Sequence, residues 1–185
     1  TMTAGAKELV SLNEASIGKV AKVLSRGLLM GARGNSGVIL SQLFRGFATG
    51  LEGKDEASIE EIAFALESGV KTAYKAVMKP VEGTILTVIR EASEKIVEYT
   101  QPGMEIEDVF SYFVKEAENS LERTPELLPV LKEVGVVDSG GAGLLLVLTG
   151  FMAALTGDRV DFVDIKSEGQ VNAGTELESG EEGYG

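Results

Sequence analysis

Apolar residues recur every three to four positions along most of the first 157 residues, which is the spacing of one face of an α-helix. The clearest case is the segment 16–31, where Ile17, Val20, Leu24 and Leu28 fall on one face. Further helices are predicted to begin near residues 35, 58, 84, 106, 125 and 138. The predicted fold class is therefore all-α, built from amphipathic helices.

Local signals refine three of these helix starts. Asn35 or Ser36 is predicted to be the N-cap of the second helix, after a break at Gly31–Gly34. The run Ser58–Glu61 has the spacing of a capping box. Thr124–Pro125 is predicted to be an N-cap followed by the first residue of a short helix, which ends at Gly135.

Three glycine-rich breaks precede long apolar helices, at 31–37, 82–84 and 138–143. Glycine allows a ligand to approach the backbone closely, and the start of a helix offers unpaired N–H groups and a partial charge of roughly +0.5. Such starts suit phosphate groups. Three of them in one small helical domain predict a shared pocket for an anion or a nucleotide.

Each break also has a purely structural interpretation. Residues 34–37 suit a tight turn between two antiparallel helices, with Gly34 in the left-handed conformation. The second break suits a helix end after Lys79–Pro80 followed by a cap at Thr84. The third suits a capped helix whose glycines permit close packing, although three glycines in four positions disfavour a helix start by about 1 kcal/mol each relative to alanine.

Composition narrows the chemistry. The 185 residues contain no cysteine and no histidine, which excludes disulfides, thiolate zinc sites and a Ser-His-Asp triad. Any metal has to be a hard cation such as Mg²⁺ with oxygen ligands. The net charge of −12 argues against nucleic acid and anionic membrane surfaces as partners. No stretch has the length of a membrane span and no signal peptide is evident, so we expect a cytoplasmic protein.

The C-terminal residues differ from the rest. Residues 1–157 are predicted to form one helical domain, and 159–165 have β-propensity. From Ser167 onward the chain has five glutamates, five glycines and no lysine or arginine. Residues 158–185 are therefore predicted to be a short β-prone piece and an acidic, glycine-rich linker to a further domain.

Three segments closely resemble the N-terminal kinase domain of bacterial fatty acid kinase, a domain similar to the ATP-binding subunit of dihydroxyacetone kinase. They are residues 26–46, 77–87 and 131–144. The resemblance extends over nearly the whole chain to about residue 157. It implies an up-and-down barrel of amphipathic helices that binds ATP at one rim.

The resemblance also implies roles for individual residues. The phosphate loop corresponds to Gly34, Asn35, Ser36 and Gly37, a threonine near the nucleotide to Thr84, and the loop beside the adenosine to Asp138, Ser139, Gly140 and Gly141. No catalytic or metal-binding residue is assigned within the chain. The acyl acceptor is expected to be a fatty acid carried by a separate DegV-like binding protein, whose carboxylate receives the γ-phosphate.

One departure from the family matters for catalysis. An aspartate-rich loop that holds Mg²⁺ is expected directly upstream of Thr1, and nothing like it occurs in the chain. We therefore expect the 185 residues to be a catalytically incomplete part of a larger kinase. Two alternatives remain, namely a non-catalytic helical module that docks a partner and a dihydroxyacetone-kinase-type subunit that acts on a triose. The sequence leaves open a homo-oligomer.

Overall fold

A computed structural model of the chain describes residues 1–158. These residues form eight helices and no strand, so the all-α prediction is confirmed. The helices are α1 (Met2–Val10), α2 (Ile17–Met30), α3 (Gly34–Gly50), α4 (Ile59–Lys75), α5 (Ile85–Tyr99), α6 (Ile106–Leu127), α7 (Pro129–Val134) and α8 (Ser139–Leu155). The β-prone piece and the acidic linker predicted for the C-terminal residues lie outside the described residues, apart from Asp158.

Consecutive helices from α1 to α6 pack as neighbours, and α8 packs against α5 and α6. This arrangement places α5 at the centre, in contact with α4, α6 and α8. Its inner face is fully buried at Val88, Ile89 and Ile96, while its outer face carries charged residues. Phe113 of α6 and Leu28 of α2 complete the same core. Burial of the apolar stripes of these helices is the main force that holds them together.

Two helix boundaries follow the sequence signals closely. Ser58 and Glu61 form the predicted capping box, in which the Glu61 amide donates to Ser58 Oγ at 3.2 Å and the Ser58 amide donates to Glu61 Oε2 at 2.8 Å. The short helix α7 ends at Gly135, which adopts the left-handed conformation with a φ of 75°. Both motifs satisfy backbone groups that a helix end leaves unpaired.

The predicted cap of α3 is wrong. The N-cap is Arg33 in an extended conformation, and α3 begins at Gly34, whose φ is +66°. Glycine adopts this left-handed conformation without strain, so the chain turns into the helix earlier than the polar residues indicate. Asn35 and Ser36 consequently lie within the first turn of the helix.

The predicted helix start at Thr124–Pro125 is also wrong, because α6 continues through both residues to Leu127. Proline cannot donate to the carbonyl four residues earlier, which belongs to Leu121. The Thr124 hydroxyl donates to that carbonyl instead, at 2.7 Å. The helix therefore tolerates the proline, and α7 starts later, at Pro129.

Within the described residues, the helices are too short or insufficiently apolar for any of them to cross a membrane.

Candidate nucleotide-binding site

The three glycine-rich segments converge at one end of the helices, where α3, α5 and α8 begin. A cavity of about 540 Å³ is lined by residues of all three segments, and a neighbouring cavity of about 260 Å³ is lined by two of them. The two cavities share Ser36 and Ile85. Of the nine residues that the resemblance assigns to nucleotide binding, seven line one or both cavities: Asn35, Ser36, Gly37, Thr84, Asp138, Ser139 and Gly140. Gly34 and Gly141 line neither.

Of the three helix starts, that of α3 has the fewest hydrogen-bond acceptors for its backbone N–H groups. It has no side-chain cap and no acidic residue in its first turn. The amides of Asn35 and Ser36 precede the point at which intrahelical bonds begin, and both residues are exposed. The loop in front of them is held by the Ala32 amide, which donates to the Leu29 carbonyl at 3.3 Å, and by the Arg33 amide, which donates to Thr1 Oγ1 at 3.3 Å. This start is the place in the site where an anion could accept hydrogen bonds from the backbone.

The starts of α5 and α8 carry their own caps. Thr84 Oγ1 accepts from the Leu86 amide at 3.4 Å, and Asp138 Oδ2 accepts from the Gly141 amide at 2.8 Å. The capping part of the structural interpretation is therefore correct for both residues. Their side chains still line the larger cavity. Each can accept further hydrogen bonds there, because a hydroxyl and a carboxylate oxygen have more than one lone pair.

An ion-pair network supports the turn before α5. Glu82 Oε2 accepts from Thr87 Oγ1 at 2.6 Å and from Arg90 Nη2 at 2.9 Å, and its Oε1 accepts from the Tyr74 hydroxyl at 3.2 Å. Partial burial raises the pKa of Glu82, but these hydrogen bonds and the Arg90 charge outweigh it and hold the pKa below the usual range. Burial likewise raises the pKa of the Tyr74 hydroxyl. Glu82 therefore stays ionised and keeps its partners in place.

Sequence reasoning did not assign the two buried threonines to the site, and it took Thr124 for a helix cap. Thr87 and Thr124 are both completely buried. The Thr87 hydroxyl accepts from the Gly83 amide at 2.9 Å, and the Thr124 hydroxyl accepts from the Asp138 amide at 3.1 Å. The available signal was a hydroxyl on an otherwise apolar helix face, since buried polar groups are almost always hydrogen-bonded.

The glycines of α8 have different surroundings. A Cβ at Gly141 would lie 2.9–3.0 Å from side chains of Leu121 and Val88, so close helix packing explains this glycine. A Cβ at Gly140 would lie 2.8 Å from Ser36 Oγ, across the site. A Cβ at Gly143 would meet nothing within 4 Å, and Gly143 lines the smaller cavity. Of the three α8 glycines near the site, Gly143 is the one whose surroundings among the described residues leave clear space for a bound group.

The described residues do not fit a magnesium centre. No group of three or more acidic side chains within residues 1–158 could surround a cation. Glu82 is engaged by Thr87, Arg90 and Tyr74, and Asp138 by the Gly141 amide. Mg²⁺ takes near-octahedral oxygen coordination, for which two engaged carboxylates are a poor basis.

Comparison with known protein families shows to which family the chain belongs. Residues 1–153 match the DAK2 domain. The chain belongs to the DAK2 domain family. This membership agrees with the all-helical architecture and with the likeness to dihydroxyacetone kinase.

Individual bacterial proteins are also similar in sequence to the chain. Protein YloV of Bacillus subtilis is 59% identical over 160 residues, which are 86% of this chain and 29% of that protein. An uncharacterised protein of Staphylococcus epidermidis is 52% identical over 161 residues, and one of Staphylococcus aureus is 53% identical over the same length. Each alignment covers 87% of this chain and 29% of the relative. The chain thus spans less than a third of the length of these relatives.

Proposed function

We propose that this DAK2 domain is the ATP-binding domain of a kinase that phosphorylates a fatty acid. The observation that carries the proposal is the convergence of three predicted segments, far apart in sequence, around two adjoining cavities. Family membership supports kinase-type chemistry in general. The fatty acid as acceptor rests on the resemblance of residues 26–46 and 131–144 to fatty acid kinase.

The uncapped start of α3 is the proposed phosphate site. Backbone amides at Asn35 and Ser36 offer donors without a competing carboxylate, and the Ser36 hydroxyl adds another. Gly37 is buried beside them, and close packing explains it, since a Cβ there would lie 2.6 Å from Thr1 Oγ1. A phosphate chain lying here would extend into the cavity that Ser36 shares with Gly140.

The capped starts of α5 and α8 are the proposed contacts for the sugar and base. Asp138 already carries a negative charge at the α8 start, which disfavours a second anion there. Its carboxylate and the Thr84 hydroxyl can instead accept hydrogen bonds from ribose hydroxyls. The apolar side chains of Val38, Ile39 and Val77 in the same cavity provide a surface against which a base can pack.

In the proposed reaction the bond between the γ-phosphorus and the β,γ-bridging oxygen of ATP breaks. A bond from a carboxylate oxygen of the fatty acid to the γ-phosphorus forms, which gives an acyl phosphate and ADP. Mg²⁺ supplies charge neutralisation for such a transfer when it is bound, and the resemblance puts its ligands upstream of Thr1. The proposed carrier of the fatty acid is a DegV-like binding protein.

A pair of glycine substitutions on α8 tests nucleotide binding at this place. Gly143→Leu adds a side chain beside the smaller cavity, where no described residue outside the adjoining helix backbone lies within 4 Å of the new Cβ. Gly150→Leu is the matched control, because its Cβ is equally unobstructed and lies seven residues along the same helix, away from the cavity. Both changes should stabilise α8 by up to about 1 kcal/mol, since leucine is the better helix former.

Calorimetric titration with ATP should show at least tenfold weaker binding for Gly143→Leu and unchanged binding for Gly150→Leu. Equal affinities for the two variants would contradict binding in this cavity. Turnover is measured with the full-length protein. ATP consumption with a fatty-acid-loaded DegV-like partner supports the proposal, whereas consumption with dihydroxyacetone favours the triose alternative. Binding of the partner without any turnover favours the non-catalytic module.

A further inference from the structure

Two buried threonines have the same hydrogen-bonding arrangement beneath two different loops of the site. Each hydroxyl donates one hydrogen bond, to a carboxylate in one case and to a helix carbonyl in the other, and accepts one hydrogen bond from a loop amide. Thr87 donates to Glu82 Oε2 at 2.6 Å and accepts from the Gly83 amide at 2.9 Å. Thr124 donates to the Leu121 carbonyl at 2.7 Å and accepts from the Asp138 amide at 3.1 Å. Both residues have zero exposure.

The turn at Gly83 packs against the end of α6, which carries the threonine that holds the other loop. Gly83 has a φ of +81°, and a Cβ there would lie 2.9 Å from the Thr124 carbonyl oxygen and 2.8 Å from Leu128 Cβ. The turn before α5 is therefore pressed against the end of α6. A shift of the Gly83 turn would disturb the segment that holds Asp138 as well, because packed backbone atoms leave no space for independent movement.

Each loop amide is held next to a residue that lines the larger cavity. The Gly83 amide immediately precedes Thr84, and the amide held by Thr124 belongs to Asp138 itself. The hydrogen bonds thus fix where the Thr84 hydroxyl and the Asp138 carboxylate lie. The threonine hydroxyls do not line the cavity, so their effect on a ligand has to pass through these two residues.

We propose that Thr87 and Thr124 are positioning residues that hold Thr84 and Asp138 in the arrangement that binds nucleotide. This inference rests on the proposed function for its effect on ATP affinity. Its effect on the loops does not, since the two amide hydrogen bonds exist without a ligand. The two parts can be measured separately.

The test compares three kinds of variant of the 185-residue chain. Thr87→Val and Thr124→Val remove the hydroxyl while keeping the side-chain shape. Thr87→Ser and Thr124→Ser restore the hydroxyl. Ser93→Ala and Ser120→Ala are matched controls on α5 and α6, because these serines are also buried but their hydroxyls have no hydrogen-bond partner among residues 1–158.

The first readout is amide hydrogen exchange by NMR without nucleotide. The Gly83 amide should exchange at least about tenfold faster in Thr87→Val, and the Asp138 amide in Thr124→Val, because each has lost its acceptor. The serine variants should return both rates to within about twofold of wild type. The Ser93→Ala and Ser120→Ala controls should leave both rates unchanged.

The second readout is ATP affinity at a temperature where all variants are folded. We expect at least about fivefold weaker binding for the valine variants, near-normal binding for the serine variants, and no change for the controls. Faster exchange with unchanged affinity would overturn the positioning role. Unchanged exchange in the valine variants would overturn the loop contacts. Absence of ATP binding in wild type contradicts the proposed function and, with it, the nucleotide-positioning role, while the exchange result still judges the loop contacts.

Discussion

The starts of α3 and α8 face each other across the candidate site. They differ in whether a side chain accepts hydrogen bonds from the first amides of the helix. At α8 the Asp138 carboxylate accepts from the Gly141 amide at 2.8 Å, so a negative charge already occupies the positive end of the helix. At α3 no side chain of residues 1–158 caps the helix, and the first turn contains no acidic residue. One helix start is thus neutralised and the other is available to an anion.

Because of this difference, we expect the two helix starts to bind different groups of the ligand. An anion gains from unpaired amides and the helix dipole at α3, whereas at α8 it would be repelled by Asp138. Hydroxyl donors, such as those of a ribose, have the opposite preference. The comparison predicts that a ligand binds with its phosphates at the start of α3 and its ribose hydroxyls at the Asp138 carboxylate.

Making α3 resemble α8 should have the largest effect. Ser36→Asp places a carboxylate in the first turn of α3, where repulsion of a nearby phosphate amounts to about 1–4 kcal/mol at 4 Å, depending on solvent exposure. We expect ATP binding to weaken by more than about tenfold, as measured by calorimetry. The helix itself should be unchanged or more stable by about 0.3–1 kcal/mol, because an acidic residue suits the start of a helix.

The control for this change is Ser36→Asn, which has nearly the same size as aspartate but no charge. It should retain most of the affinity, within about threefold, since its amide group can also donate to phosphate. Equal losses for aspartate and asparagine would show that size rather than charge is responsible. In that case the contrast between the two helix starts would not explain binding.

Removing the charge at α8 is the converse experiment. Asp138→Ala should destabilise the domain by about 0.5–2 kcal/mol, the usual cost of losing an N-cap, whereas Asp138→Asn should keep the cap. Urea unfolding monitored by circular dichroism measures both. Tripolyphosphate, which lacks ribose and base, should bind about two- to fivefold more tightly to Asp138→Asn than to wild type. Weaker binding of tripolyphosphate to this variant would break the comparison.

All the helices except α1, with the start of α7 misplaced, and two of the three site caps could be predicted from the sequence for local reasons. Apolar periodicity, the Ser58–Glu61 box and the caps at Thr84 and Asp138 all act within four residues along the chain. Interactions of this range are visible in sequence because both partners stand next to each other. The convergence of the three segments was predicted as well, from the repeated occurrence of the same chemistry.

The errors arose where a neighbour in space or an unusual backbone angle decided the outcome. The left-handed φ of Gly34 agrees with the interpretation of residues 34–37 as a tight turn, but the helix then starts ahead of Asn35, which the polar residues do not indicate. Thr124 replaces the hydrogen bond that Pro125 cannot make, so α6 does not end there. The role of Thr124 beneath Asp138 joins residues 14 apart. No local pattern reveals such a contact, because the hydroxyl serves a loop that comes later in the chain.

The third helix start, that of α5, gives the smallest and most specific prediction. Its turn also has a carboxylate, Glu82, which holds the turn through Thr87 and Arg90 and does not cap the helix. The pKa of Glu82 is lowered from its ordinary value of 4.5, so its contribution to stability is present above that value and is lost as the pH falls through the lower, folded-state pKa. The Glu82 side chain is 46% exposed, so we expect it to stabilise the fold by only about 0.2–1 kcal/mol at neutral pH, as for other exposed ion pairs.

Urea unfolding of wild type and Glu82→Gln from pH 7 to pH 3 should show a difference in the free energy of unfolding that is constant down to about pH 5 and then shrinks. Other acidic groups titrate equally in both proteins and cancel. A difference that stays constant to pH 3 would mean that the ionisation of Glu82 does not hold the turn, and the contrast among the three helix starts would then rest on α3 and α8 alone.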